Sequence, residues 1–186
     1  MKDFPITIGI DDAKFELKSG LSTTFLIGVV CQGTRVVNVV KTPIDIDGDN
    51  ATAAIINLVV PNEKHIQFIL TGTITFGGFN IIDLEEIFKQ TNKPIISITE
   101  RMVNLDSVKE ALIKTFPDEY QSKLAKIINA GPLYQTQIET AGGTSSVFLH
   151  IKGLELKNAE QLLKKLCIDS KLPEPLRLAH IIGKLF

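Results

Sequence analysis

The 186-residue chain has few cysteines, no long apolar run and no excess of basic residues. Cys31 and Cys167 are too few for a disulfide framework or a zinc site, and because both lie in apolar runs we expect core thiols. Apolar runs such as 25–31 are far shorter than the ~20 residues of a membrane-spanning helix. No secretion signal is visible at the first residues. We therefore expect a cytoplasmic protein without a membrane partner.

The charge balance also excludes one class of protein. Net charge is −1, with 8 basic against 12 acidic residues in 1–100 and 12 against 9 in 101–186. A protein held to nucleic acid by phosphate contacts alone needs a strongly basic surface, which this chain lacks. A metal-dependent phosphodiester enzyme tolerates this balance because bound cations supply positive charge at the scissile phosphate.

A hydrophobic content of 44% and the absence of repeats or low-complexity tracts predict one compact domain over residues 1–186. Apolar β-type runs and capping signals predict the order of elements. Three antiparallel strands followed by β-α-β indicate a mixed α/β sheet flanked by helices, the order of a ribonuclease H-like fold. Strands are predicted at 7–12, 22–32, 35–46, 65–71 and 93–99, with edge strands at 133–138 and 147–151 and a flexible connection over 72–78. Helices are predicted at 51–60, from a capping box of Asn80 and Asp83 through 89, at 106–116, 118–129 and 156–167, and from 173 onward, with Pro175 in the first turn.

The first predicted strand ends in two adjacent carboxylates, Asp11 and Asp12, in the sequence TIGIDD. Reactive groups of open α/β sheets lie beyond strand ends, so this pair is a candidate cation site. Successive side chains point to opposite faces of a strand, and Asp11 is the first choice of ligand. A solvated strand-to-turn junction is the alternative.

Asp47 and Asp49 follow the third predicted strand, in the turn DGDN. The first and third strands of a meander run in the same direction, so we expect their ends to share an edge and the acids to converge on Mg²⁺ or Mn²⁺. A turn with a helix cap explains the same residues without a metal. Thr71, with Gly72 and Thr73, stands where the fourth strand ends and offers no acid.

Other polar residues have both a functional and a structural interpretation. Gly72, Gly77 and Gly78 permit close approach of a nucleic acid, although turn glycines are common. The hydroxyls of Thr71 and Thr73 can bind a base or phosphate, or simply belong to a strand and loop. Glu174, Arg177 and His180 share one helical face, where a polar clamp is expected. His65 and His150 adjoin apolar strands and are expected to be structural.

Four motifs resemble the archaeal endonuclease dU family, long catalogued as a domain of unknown function. They are GIDD (9–12), DGDNAT (47–52), TFGGFNIID (75–83) and PEPLRLAHIIG (173–183). The family name implies cleavage at deoxyuridine, with the uracil everted into a pocket that reads its Watson–Crick edge. DNA containing uracil or another deaminated base is thus the implied partner.

The chain is more distantly similar to endonuclease V, a metal-dependent enzyme that cuts DNA near deaminated bases. The resemblance implies that Asp11 matches its first metal-binding Asp and that Asp49 lies near its helix-leading Glu. It also implies that residues 172–175 match its C-terminal Leu-Pro-Glu-Pro and that Arg177 matches the Arg that follows. The second metal-binding Asp falls on Thr71, and a late Gly-His-Arg falls near Lys152. Lys152 and Arg177 from this correspondence join the glycines and hydroxyls described above, which gives the nucleic-acid-binding candidates Thr71, Gly72, Thr73, Gly77, Gly78, Lys152 and Arg177.

The sequence thus predicts a cation-dependent endonuclease of DNA repair, with Asp11 and Asp49 as catalytic ligands and Asp12 and Asp47 as auxiliary ones. Two alternatives stay open. One is a nucleic-acid-binding module that has the same fold but lost its metal site, as Thr71 suggests, and the other is a small-ligand or protein-interaction domain. The lesion, DNA against RNA, and the oligomeric state, a homodimer included, are left open.

Overall fold

The computed structural model describes residues 3–16, 20–62 and 64–186. Within them the chain forms nine strands and six α-helices. Its strands are β1 (Ile6–Asp12), β2 (Thr23–Gln32), β3 (Arg35–Asp45), β4 (Phe68–Thr71), β5 (Thr75–Phe76), β6 (Asn80–Ile81), β7 (Ile95–Thr99), β8 (Tyr134–Thr140) and β9 (Gly143–Lys152). Its helices are α1 (Ala51–Val59), α2 (Leu84–Thr91), α3 (Leu105–Thr115), α4 (Tyr120–Asn129), α5 (Leu156–Leu166) and α6 (Glu174–Gly183).

Seven strands form one mixed sheet in the order β3-β2-β1-β4-β7-β9-β8. The first three strands pair antiparallel, as the predicted meander requires. β4 and β7 then pair parallel to β1 and to each other, and β9 and β8 complete the sheet in antiparallel orientation. The predicted order of strands and helices is therefore correct, although β9 lies inside the sheet and not at its edge.

The sheet is covered on both faces. One face packs α1 and α2 against side chains such as Ile8, Ile10 and Ile69, and the other packs α5 and α6 against Leu70 and Ile96. Central strands covered on both sides need apolar residues at successive positions, which explains the continuous run FILT of β4. No helix in the described part of the chain is long and apolar enough to cross a membrane.

Both cysteines are core thiols, as predicted. Cys31 and Cys167 are free and buried. Burial raises the pKa of Cys31 to about 11 and that of Cys167 to about 12, so neither forms a reactive thiolate at neutral pH.

The segment after β4 differs from the sequence-based expectation. We predicted a flexible connection over 72–78, but β5 and β6 form a short antiparallel hairpin there. The buried amide of Asn80 stabilises the hairpin because its Oδ1 accepts the Ala51 N–H at 2.9 Å and its Nδ2 donates to the Asp45 carbonyl at 2.9 Å. Of the predicted capping box, Asp83 does cap α2, whereas Asn80 binds the first turn of α1.

Candidate active site

Asp11 and Asp12 end β1 on opposite faces of the sheet. Ile10 packs into the core on the α1 side. Because side chains alternate along a strand, Asp12 lies on that same face, whereas Asp11 lies on the face that α6 covers. The two carboxylates thus have different neighbours.

The Asp11 carboxylate pairs with His180 of α6. Its Oδ2 lies 2.8 Å from His180 Nδ1, and its side chain is 13% exposed against 50% for His180. Burial, with repulsion from Asp12, raises the pKa of Asp11 to about 6, although the bond to His180 acts in the opposite direction. A carboxyl group with such a pKa, at a sheet edge beside a histidine, is typical of a functional site.

Two glycines allow α6 to approach β1 closely enough for this pair to form. A Cβ at Gly9 would lie 2.3 Å from the Leu176 backbone nitrogen, and a Cβ at Gly183 would lie 2.7 Å from the Asp12 carbonyl oxygen. Neither position has room for any other residue. The Lys14 N–H also donates to the Gly183 carbonyl at 3.1 Å, which joins the end of β1 to the end of the helix.

Asp12 binds the β5–β6 hairpin. Its Oδ2 accepts the Gly77 N–H at 2.7 Å. Gly77 has φ +51°, a backbone conformation that favours glycine, and Ile44 and Thr24 lie within 3.3 Å of where its Cβ would be. Burial raises the pKa of Asp12, and the bond from Gly77 opposes that effect. Both acids of the pair are thus partly buried carboxylates with raised pKa values.

An open groove of about 530 Å³ lies beside the pair. Asp12 and His180 line it together with two exposed cations, Lys14 and Lys184. Phe15, also at the groove, is half-buried. Lysines can bind phosphate oxygens, carboxylates can bind a cation, and an aromatic ring can stack on a base. The groove offers all three kinds of side chain.

The carboxylates of Asp47 and Asp49 have partners outside the acid pair. Asp47 Oδ1 accepts the Phe79 N–H at 2.8 Å, and Asp49 forms an ion pair with Lys126 of α4. The predicted shared edge is correct, but β3 extends past β1: Asp11 is level with Ile27 and hence with Lys41, four residues before β3 ends. The turn still lies near Asp12, because the Asp47 N–H donates to the Gly77 carbonyl at 2.7 Å and the Gly77 N–H donates to Asp12 Oδ2 at 2.7 Å.

Thr71 makes no contact with the groove. It is fully buried, and its hydroxyl donates to the Thr73 carbonyl at 2.9 Å, so the predicted direct contact of Thr71 with nucleic acid does not fit the structure. Gly72 lies next to the acid pair, since its Cβ would be 3.1 Å from Asp11 Oδ1. Thr73 is half-buried, with its hydroxyl 3.2 Å from that of Thr75.

The other nucleic-acid-binding candidates have partners of their own. Arg177 donates to both carboxylate oxygens of Glu174 at 2.7 Å, which is the polar clamp expected from the sequence. Lys152 pairs with Glu85 at 3.2 Å. Gly78, with φ +88°, is partly buried in the hairpin turn.

A cation at this end of β1 would have few protein ligands, because Asp11 and Asp12 lie on opposite faces of the strand. In residues 3–16, 20–62 and 64–186, no group of three or more His, Cys, Asp or Glu side chains is placed to hold a metal ion. Mg²⁺, however, is commonly bound by one or two carboxylates, with water and substrate phosphate as further ligands. Burial raises the pKa values of Asp11 and Asp12, and a bound cation would favour their charged forms.

The family follows from a comparison with known proteins. The model of the endonuclease dU family matches residues 6–186. This chain belongs to the endonuclease dU family. Relatives include a UPF0215 protein of Methanocaldococcus jannaschii, 34% identical over 190 residues with 100% of this chain and 96% of the relative covered. Another, from Thermococcus gammatolerans, is 32% identical over 180 residues, with 95% and 89% covered.

Solved structures give the fold class. A protein of unknown function from Archaeoglobus fulgidus superposes with a TM-score of 0.83 at 26% identity, over 96% of each chain. Endonuclease V of Ciona intestinalis, bound to a 24mer DNA that contains an inosine, gives a TM-score of 0.59 at 12% identity, over 95% of this chain and 83% of the other. The fold of this endonuclease dU family member is ribonuclease H-like, as predicted.

Sequence reasoning missed two residues of the site. His180 was expected in the clamp with Glu174 and Arg177, yet it lies against Asp11, 169 residues earlier in the chain. Lys123 of α4 was not singled out, yet its side chain is 1% exposed and its Nζ donates to the carbonyls of Asp47, Gly48 and Phe79 at 2.8–3.1 Å. The helical spacing from Arg177 to His180 was the available signal for the first, and no sequence pattern indicated the second.

Proposed function

We propose that this chain is, as one catalytic domain, a divalent-cation-dependent endonuclease acting on uracil-containing or otherwise deaminated DNA in repair. The observation that carries the proposal is the pair of partly buried carboxylates, Asp11 and Asp12, at the end of a central strand, beside His180 and a groove with two lysines. The family to which the chain belongs supports uracil as the lesion.

In this proposal each side chain at the edge has a defined task. Asp11, with Asp12 as an auxiliary ligand, would hold Mg²⁺ or Mn²⁺, which would supply polarisation of a phosphate oxygen and a lowered pKa of water. His180 donates from Nδ1 to Asp11, so Nε2 is its basic atom and can accept a proton from the attacking water. Lys14 and Lys184 bind the neighbouring phosphates and bring DNA to a protein that has no net positive charge.

A nicking assay tests this function. We expect the protein to cut a duplex with a single deoxyuridine in Mg²⁺ or Mn²⁺, and to leave it intact in EDTA. The undamaged duplex of the same sequence and duplexes with inosine or xanthosine complete the panel. Absence of cutting on every member of the panel with both metals contradicts the proposal.

One observation favours a second candidate, a nucleic-acid-binding module without catalysis. β4 ends in the buried Thr71 and not in an acid, so the edge has fewer carboxylates than a two-metal site needs. Calorimetric titration with Mg²⁺ and Mn²⁺, with and without a short DNA, separates the two. DNA binding without cation binding supports the module, and absence of both favours a small-ligand or protein-interaction domain.

A further inference from the structure

The main sheet has two edge strands, β3 and β8, and they differ in how their edges are protected. β3 carries the exposed Lys41 and Pro43, and its register with β2 is irregular at one point. The Asn38 side chain accepts the Val39 N–H at 2.9 Å, so that backbone donor is occupied. Charges, prolines and bulges are the features that prevent an edge from pairing with another strand. β3 is therefore a protected edge.

β8 has none of these features apart from a single acid, Glu139. Its sequence, YQTQIET, contains no lysine, arginine or proline, and its register with β9 is continuous over Tyr134–Thr140. The Nε2 atoms of Gln135 and Gln137 donate to Ser146 Oγ on β9, at 3.4 and 2.8 Å respectively. These side chains thus bind toward the sheet and leave the outer edge uncovered. An uncovered edge of this kind is a template for another strand.

The backbone groups that β8 presents to its open side follow from the turn. Residues 141 and 142 form a two-residue turn between Thr140 and Gly143, which are paired. The closing pair of such a hairpin exchanges its own backbone hydrogen bonds, and bonded pairs then alternate with non-bonded pairs along the strands. The N–H and C=O groups of Gln135, Gln137 and Glu139 therefore point outward. All three residues are exposed.

We propose that β8 pairs antiparallel with β8 of a second copy of this chain, about a two-fold axis at Gln137, so that the two sheets become one. In this register Gln137 stands opposite its own copy, and Gln135 stands opposite Glu139 of the second copy. Because all three residues direct their backbone groups outward, each pair can exchange two backbone hydrogen bonds. Such an interface uses the same patch on both copies, as a two-fold dimer requires.

Side chains on both faces of the paired strands match in this register. On the face opposite α5, the amide of Gln135 can donate to the carboxylate of Glu139, and the symmetry forms this pair twice. On the face that α5 covers, Tyr134, 37% exposed, stands opposite Thr140, and a pair of an aromatic with a β-branched residue stabilises a sheet. The register also aligns all seven residues of each strand, which no shifted register does.

The dimer leaves both candidate active sites open. β8 lies four strand positions from β1, so a second copy at this edge does not cover Asp11 or His180. The axis reverses the direction of the strands, and the two sites lie at opposite ends of the joined sheet. Because one strand pair buries little area, we expect a weak dimer whose population depends on protein concentration.

Residue 137 gives the sharpest test, because it stands opposite itself. Gln137→Lys places two positive charges together, and Gln137→Glu places two negative ones. Each variant should weaken the dimer about fivefold, since like charges directly opposite destabilise a strand pair. An equimolar mixture of the two should restore association, as a heterodimer with opposite charges at the axis. Sedimentation velocity up to the millimolar range measures the association, and thermal unfolding verifies that each variant folds.

Gln135→Lys is the matched control on the same strand. Its new ammonium group stands opposite Glu139, so we expect it to tighten the dimer about fivefold where Gln137→Lys weakens it. Gln121→Lys, at an exposed position of α4, adds the same charge away from β8 and should leave association unchanged.

Three outcomes would contradict this dimer. A wild-type chain that stays monomeric at every concentration overturns it. Equal weakening by Gln135→Lys and Gln137→Lys rejects the two-fold register, because lysine anywhere on the strand then blocks pairing. A dimer that Val39→Lys disrupts, and Gln137→Lys does not, moves the interface to β3 and also overturns the proposal.

Discussion

His180 Nδ1 lies 2.8 Å from Oδ2 of Asp11, although the two residues are 169 positions apart in the chain. The contact joins the end of the first strand to the last helix, and it depends on the close approach that Gly9 and Gly183 permit. A carboxylate that orients a histidine of a groove can act on a substrate through that histidine. The position of α6 is thus part of the candidate site as well as of the fold.

Asp11→Asn should reduce cation-dependent cutting of uracil DNA by more than about 100-fold, because loss of a direct ligand exceeds the effect of removing an outer-shell partner. Asp49→Asn is the matched control. The sequence predicted both as ligands, but the structure pairs Asp49 with Lys126 on α4. Gel-based nicking rates with Mg²⁺ and Mn²⁺ compare the two variants. Equal losses in both would contradict the site described here.

The pH dependence of stability should report the burial of Asp11. Its pKa is raised from 3.8 to about 6 in the folded protein. Between these values the folded state binds a proton that the unfolded state has released, so the free energy of unfolding falls as pH rises through this window. The fall is about 3 kcal/mol at most. Urea unfolding at pH 4.5 and 7 in EDTA should show a smaller difference for Asp11→Asn, and the same difference in both proteins would refute the assignment.

The strand order could be predicted because its determinants are local. The run TFLIGVVCQ before Gly33 and the run FILT each indicate a strand by composition alone, and the meander follows from the short connection between β2 and β3. The candidate site could be predicted only where it lies within one segment. Asp11 and Asp12 are adjacent in sequence, so their position at the end of β1 was visible.

The remaining parts of the site depend on how far each strand extends and on where helices dock. β3 continues four residues beyond the level of Asp11, and no sequence pattern gives that difference in length. Asp49 was assigned to the site because this difference in length was not visible in the sequence. His180 was not assigned because the docking of α6 on β1 was not visible either. The β5–β6 hairpin was missed because two-residue strands have no periodicity, and the bonds of Asn80 that stabilise it are long-range.

Gly9→Ala should destabilise the protein strongly, by about 3 kcal/mol or more, since the added carbon would lie 2.3 Å from the backbone of α6. Chemical denaturation measures the change. Gly142→Ala is the control, because its added carbon would meet only the Thr140 hydroxyl at 3.7 Å. We expect the control to change stability by less than about 0.5 kcal/mol. Similar stabilities for both variants would contradict the packing of α6 on β1.

Lys123 should position the hairpin that binds Asp12. Its Nζ donates to the carbonyls of Asp47 and Gly48, before α1, and to that of Phe79, in the hairpin. It also lies 4.9 Å from the centre of the Phe116 ring. The ammonium group therefore links two segments, and the second of them contains Gly77, whose N–H binds Asp12.

Lys123→Met keeps the length and apolar stem of the side chain but leaves three carbonyls without their donor, so we expect a loss of about 3 kcal/mol or more in the free energy of unfolding. Lys109→Met, at an exposed position of α3, is the control and should change stability little. At a temperature where both variants are folded, calorimetry should show weaker Mn²⁺ binding by Lys123→Met alone, because the Gly77 N–H no longer orients Asp12. A variant that loses stability but binds Mn²⁺ as the wild type does would restrict Lys123 to a structural role.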